Sequence, residues 1–176
     1  MKKVAVFAGS NSKQSINKAL ATYAAQSLKN SSFTVLDLND YELPLYGVDY
    51  ETENPYPENA DKFNNQLDNF DGFIISLAEH NGTYTAVFKN LLDWLSRKER
   101  KIFRDKPTLL LSTSPGPKGA QSVLSFATNS FPFFGAKITD SFSLPSFNDI
   151  FKKGEIIEKN INDILSSAVE NFENQL

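Results

Sequence analysis

Five short apolar runs, at residues 4–8, 33–38, 72–77, 108–113 and 137–144, recur along this 176-residue chain, and nearly every gap between them carries helical periodicity. Ile16, Leu20, Tyr23, Ala24 and Leu28 mark one helix, and residues 58–69 a more polar one. Tyr84, Val87, Phe88, Leu91, Leu92 and Leu95 form an apolar stripe with Lys89, Asp93 and Arg97 on the opposite side. Residues 121–134 predict a further helix. Ile157, Ile161, Ile164, Leu165, Ala168 and Phe172 predict the buried face of a last one. Strands that alternate with helices pair in parallel through right-handed crossovers, and the helices cover both sheet faces. The expected fold class is therefore α/β: a mainly parallel sheet in a three-layer sandwich. The segment 42–57, with Pro44, Pro55 and Pro57, is expected as a long loop.

The length suits one core, so residues 1–176 are expected to form a single domain. A net charge of -3 leaves no concentrated basic face for nucleic acid or an anionic membrane. With no cysteine, disulfides, thiolate metal sites and a cysteine-dependent phosphatase are all excluded. Met1 to Lys3 lead directly into a strand rather than a leader, and no apolar stretch approaches the roughly 20 residues of a membrane span. A cytoplasmic protein acting on small molecules is expected.

In open parallel sheets ligands bind beyond the carboxyl ends of the strands, where loops converge. The loop after the first run carries Gly9, Ser10, Ser12, Ser15, Ile16 and Asn17 just where a helix begins, so its free N–H groups favour a phosphate. The same serines would serve equally as caps and turn residues. No nucleoside-triphosphate P-loop and no dinucleotide glycine fingerprint is present. Gly9 also stands where a response regulator would need acids. The loop after the third run, Ala78-Glu79-His80-Asn81-Gly82, suits close approach of backbone to a flat ring. His80, the only histidine, is expected to pack or hydrogen-bond, and Glu79 to be solvated. The third loop, Ser114, Pro115 and Gly116 through Gly119, either lends backbone donors to a heteroaromatic edge or simply turns the chain. Trp94, Phe131, Phe133 and Phe134 are expected as packing residues.

Together these segments resemble the NAD(P)H-dependent FMN reductase family. Its first loop follows G-S-x-R-x-x-S-x-N-x-x-L, and residues 9–20 match it. Its third strand ends in P-E-Y-N-G-S followed by a helix ending D-W-x-[SG]-R, and residues 78–97 match that pattern. The resemblance implies a flavodoxin-like sheet of order 2-1-3-4-5. It implies FMN with its phosphate at Ser10, Ser12, Ser15, Ile16 and Asn17. Ala78, Glu79, His80, Asn81 and Gly82 would meet the isoalloxazine, and Ser114, Pro115, Gly116 and Gly119 its pyrimidine side. It also implies hydride transfer from NADPH or NADH through FMN to a small electron acceptor, a flavin or quinone, with no catalytic side chain. A homodimer or homotetramer through the residue 84–97 helix is implied as well. Ser12 stands where the family has arginine, leaving Lys13 as the nearest cation, and Ala78 and His80 replace proline and tyrosine. A flavodoxin-type electron carrier and a flavin-free binding protein remain the alternatives.

Overall fold

A computed structural model describes residues 1–176. Five parallel strands form the central sheet: β1 (Lys2–Ala8), β2 (Ser31–Leu36), β3 (Gly72–Leu77), β6 (Lys106–Thr113) and β7 (Ala136–Leu144). Their order is β2-β1-β3-β6-β7, which counting sheet strands alone is the expected 2-1-3-4-5. Two small antiparallel hairpins interrupt the numbering, β4 (Glu79–His80) with β5 (Thr83–Tyr84), and β8 (Phe151–Lys152) with β9 (Glu155–Ile156).

The inner strand β3 is buried along its whole length because helices cover both of its faces. On one face lie α1 (Ile16–Gln26) and α7 (Lys159–Glu173), which bury Leu20, Ala24, Leu165 and Phe172 against Val6, Ile74 and Leu109. On the other lie α3 (Glu58–Leu67), α4 (Ala86–Lys98) and α5 (Gln121–Ser130), over Phe7, Phe73, Ile75 and Leu110. In α4, five residues are buried: Phe88, Leu91, Leu92, Trp94 and Leu95. Full burial stabilises each such side chain by roughly 1.5–3 kcal/mol, whereas an exposed i,i+4 pair such as Lys89–Asp93 adds only about 0.3–0.5. The apolar stripe, not the ion pair, holds this helix down.

Several local expectations are corrected. The second strand ends at Leu36, and Leu38–Asp40 forms a 3-10 turn capped by Asp37, whose side chain accepts from Asn39 N–H. The loop 42–57 contains a short helix, α2 (Val48–Glu53). The helix expected over 121–134 stops at Ser130 and continues as a 3-10 turn (Phe131–Phe134), because Pro132 cannot donate to an α-helical ladder. Tyr84 belongs to β5, although its ring still packs in the same core. Ile157 and Ile164 are exposed, and Val169 takes the buried position on α7. Phe131 is fully buried, but Phe133 is 85% exposed. A four-residue helix, α6 (Phe147–Ile150), joins β7 to the second hairpin. No helix is long and apolar enough to cross a membrane.

Candidate functional site

β1, β3 and β6 are neighbours, so the loops that follow them leave the same edge of the sheet side by side. One buried side chain ties all three together. Asn17, in the first turn of α1, donates from Nδ2 to Thr113 O (3.1 Å), and its Oδ1 accepts from Thr113 N (3.1 Å) and from Ser76 Oγ (2.7 Å). The phosphate-type loop is thereby fixed to the ends of β3 and β6. A second tie comes from Thr85, whose hydroxyl donates to Gly9 O (2.8 Å) and caps α4 by accepting from Phe88 N (3.3 Å). Gly9 passes so close to α4 that a Cβ there would lie 3.1 Å from Cγ of Phe88. Sequence reasoning missed Ser76, Thr85 and Thr113. Thr85 was findable, since a threonine immediately before an apolar helical stripe is a cap signal.

Within the first loop, Ser10 Oγ accepts from Ser12 N (3.1 Å), and Ser15 Oγ accepts from Lys18 N (3.1 Å). Both serines do cap and turn the chain. Their own O–H groups stay available, because a hydroxyl that accepts still donates. The Ile16 and Asn17 N–H groups have no partner within the chain, as the first turn of a helix requires. With Ser12 and Lys13 exposed beside them and no acidic residue in the segment 9–18, this loop is rich in donors, a chemistry that suits an anion. The Asn17 side chain is fully occupied by the β3 and β6 ends, so only its N–H faces this role.

The second loop is a two-residue hairpin turn. Asn81 and Gly82 both have positive φ (52° and 81°), as a type I′ turn demands, and the Asn-Gly dipeptide is its strongest sequence signal. His80 is exposed and pairs with Thr83 across the hairpin. Glu79 is not simply solvated: its Oε2 accepts from Val123 N (2.9 Å) in the first turn of α5. Ala120, the residue before that helix, has a left-handed backbone and no capping side chain. Glu79 supplies the missing acceptor from another element, at the helix end where negative charge is favoured.

The third loop is split in use. Gly116 O accepts from Ser146 N (2.9 Å), and Phe147 N donates to Ser114 O (3.0 Å), tying the loop to α6. Gly119 O accepts from the hydroxyls of Ser112 (2.7 Å) and Ser143 (2.9 Å). A Cβ on Gly119 would lie 2.3 Å from Ser143 Oγ. Gly119 therefore anchors the loop against β7, while Ser114, Pro115 and Gly116 border the edge shared with Ala78 to Gly82. No group of histidine and acidic side chains could hold a metal ion.

Two clefts flank the first loop. One, of about 500 Å³, lies between Asn11, the residues after β2 (Leu38, Tyr41, Leu43) and the start of α4 (Val87, Asn90). The other, of about 540 Å³, runs along the outer side of α1. Over the first cleft, the segment 42–57 is strapped to α4. Trp94 Nε1 and Asn90 Nδ2 both donate to Pro44 O (2.8 and 3.0 Å), Asn90 Oδ1 accepts from Tyr46 N (2.8 Å), and Tyr56 donates to Trp94 O (3.0 Å). Tyr46, Tyr50 and Tyr56 all meet the Trp94 ring edge-on. Burial, with Asp61 and Glu51 nearby, pushes the Tyr56 hydroxyl up to about 12, so it remains a donor at neutral pH.

The profile of the family described as NADPH-dependent FMN reductase matches residues 2–149, the stretch that contains all three loops. The chain belongs to this family. Among curated relatives, this member of the NADPH-dependent FMN reductase family is similar to a 2-hydroxy-1,4-benzoquinone reductase of Burkholderia sp. The two are 38% identical over 118 residues, which is 66% of this chain and 63% of that protein. It is also 31% identical to an NADPH:quinone oxidoreductase of Arabidopsis thaliana, over 68% of this chain and 62% of the other. The match thus spans somewhat under two thirds of each of these relatives. Among solved structures, the flavoenzyme NAD(P)H:(acceptor) oxidoreductase FerB from Paracoccus denitrificans superposes with a TM-score of 0.80. It is 24% identical, over 99% of this chain and 97% of that one, which establishes a common fold.

Proposed function

We propose that this family member is an NAD(P)H-dependent FMN oxidoreductase that passes reducing equivalents from a nicotinamide donor to a small quinone-class acceptor. The observation that carries this reading is the donor-only cradle at the start of α1, stapled by Asn17 to the loops that would receive the ring. The residues present fit FMN. The N–H groups of Ile16 and Asn17 and the hydroxyls of Ser10, Ser12 and Ser15 would hold its phosphate, with Lys13 as the adjacent cation. The backbone of Ala78 to Gly82 would lie against the isoalloxazine, and Ser114 to Gly116 along its pyrimidine edge.

When bound, FMN supplies two-electron chemistry that no side chain of the protein offers. The protein's work is positional. The I′ turn at Asn81-Gly82 brings bare backbone toward a planar ring, and Glu79, by capping α5, fixes the angle of that hairpin. Backbone donors at the ring edge would stabilise the negative charge that reduction places there. The names of the benzoquinone and quinone reductases above support a quinone as acceptor. A homodimer or homotetramer through α4 is part of the same reading. Light scattering on a size-exclusion column would return a mass at least twice the 19.7 kDa of one chain if it holds.

The deciding experiment is the visible spectrum of purified protein titrated with FMN, followed by anaerobic NADPH or NADH and then benzoquinone. Bound flavin that bleaches with either donor and recolours with the quinone is the expected result. Flavin that binds but stays oxidised would favour an electron carrier, and no binding would leave a flavin-free protein on the same fold.

A further inference from the structure

The tip of the β4–β5 hairpin sets a free carboxamide beside a free backbone nitrogen. Asn81 and Gly82 are both exposed, and the N–H of Gly82 has no partner within the chain. No atom lies within 4 Å of where a Cβ on Gly82 would sit, so nothing crowds that nitrogen. Asn81 is also the one asparagine of the sequence that glycine follows. At other exposed asparagines the next amide is held. Ser12 N donates to Ser10 Oγ (3.1 Å), Asp40 N to Asp37 O (3.0 Å) and Asp149 N to Ser146 O (2.8 Å), while Asn54 precedes a proline that has no N–H.

The tip hangs between two fixed points. Glu79 is bonded to Val123 N, and Tyr84 is buried with its hydroxyl on Ser130 Oγ (2.9 Å). Between them only the His80–Thr83 pair closes the turn. Both tip residues have left-handed φ, so bringing the Asn81 carboxamide onto the Gly82 nitrogen requires the tip to leave the I′ geometry. Opening a single strand pair at an exposed hairpin end is a low-cost local fluctuation.

We propose that Asn81 is a self-modification site, which deamidates through the Gly82 nitrogen when the protein carries no flavin. The Gly82 N–H gives its proton to hydroxide, and the nitrogen bonds to Asn81 Cγ. The Cγ–Nδ2 bond breaks, and the departing nitrogen takes a proton from water, leaving as ammonia and returning the hydroxide. Water then adds to either carbonyl of the cyclic imide and reopens it as aspartate or isoaspartate, with no change of oxidation state. The consequence for function rests on the FMN reading. A ring lying on this tip would hold it shut and shield it. The product instead places a carboxylate, or an extra backbone atom, where bare backbone should meet the ring. Flavin occupancy thus preserves the site, and the empty protein loses it with time.

The test ages flavin-free protein and FMN-saturated protein together in warm, mildly alkaline buffer. Peptide mass spectrometry then reads amide-to-acid conversion at each asparagine. Asn81 in the flavin-free protein is expected to convert at least about tenfold faster than Asn11, Asn39 and Asn148, and FMN to slow it about tenfold. Aged flavin-free protein should bind FMN about tenfold more weakly than fresh protein, as loss of a backbone contact to the ring implies. Asn81→Gln aged alongside should keep its starting affinity, because its longer side chain cannot close the same ring. Conversion of Asn81 no faster than that of the other three overturns the proposal, and equal rates with and without FMN overturn the shielding. Failure of fresh protein to bind FMN overturns the reductase reading instead, while the peptide masses still decide the chemistry at Asn81.

Discussion

Asn17 makes three buried hydrogen bonds from one side chain, and no water reaches the groups it satisfies. Asn17→Ala would leave the N–H and C=O of Thr113 and the hydroxyl of Ser76 unpaired, and stranding buried polar groups costs about 1–3 kcal/mol. A lower urea midpoint and weaker FMN binding are expected together, because the same bonds set the loop positions. Two glycines with positive φ separate backbone strain from steric overlap. Gly82 has open space around its Cα, so Gly82→Ala should cost only the roughly 1 kcal/mol of a left-handed alanine. Gly119 meets Ser143 Oγ, which could rotate away only by giving up its bond to Gly119 O, and the Leu144 backbone, which cannot retreat without moving β7, so Gly119→Ala should be the more damaging of the two in thermal melts. At position 12 the expected change is a gain. Ser12→Arg restores the charge partner found in the family pattern, and FMN should bind about tenfold more tightly, as a charge-assisted pair to phosphate allows.

At the scale of elements, the hairpin and α5 are one unit because Glu79 provides the cap that Ala120 cannot. Glu79→Ala should lower stability by about 1 kcal/mol and speed hydrogen exchange at the Val123 amide, with exchange in the distant α7 unchanged. The cap was not legible in the sequence. Glu79 lies 44 residues from Val123, and nothing in the local pattern of either segment announces the contact. The I′ turn at Asn81-Gly82 and the stripe of α4 were legible, since both depend on residues within one or two turns of chain. The strap over α4 falls between these cases. Its prolines announced an irregular path, but that the path ends in a hydrogen bond from Trp94 to Pro44 O depends on how α4 sits on the sheet.

Across the whole molecule, carboxylates act as fasteners between distant ends of the chain. Asp71 accepts from Lys3 N (2.8 Å), and Glu173 accepts from Lys29 N (3.0 Å) and Asn30 N (2.8 Å), joining α7 to the turn before β2. For Asp71 the Lys3 N–H lowers the pKa and outweighs partial burial; for Glu173 burial raises it, but the several N–H bonds win. Both therefore sit below their unfolded values. A depressed carboxylate contributes stability that is present above the unfolded pKa and is lost as pH falls through the folded one. Thermal midpoints should be flat around neutrality and fall below roughly pH 4, with a smaller fall in Glu173→Gln. Local periodicity determined the strand and helix alternation, and with it the parallel sheet and its covering layers, while the sheet order was carried by the family resemblance and not by periodicity. Spacing also marked the donor-rich corner at the start of α1, because a helix exposes its first N–H groups whatever it packs against. Only the tertiary structure decided that the Asn17 side chain is taken up by Ser76 and Thr113, that Glu79 is a cap, that Ile164 and Phe133 face outward, and that Phe147 and Phe151 stack on each other. Each of these depends on pairing between residues far apart in sequence, where side-chain direction is set by packing and not by any pattern the neighbouring residues carry.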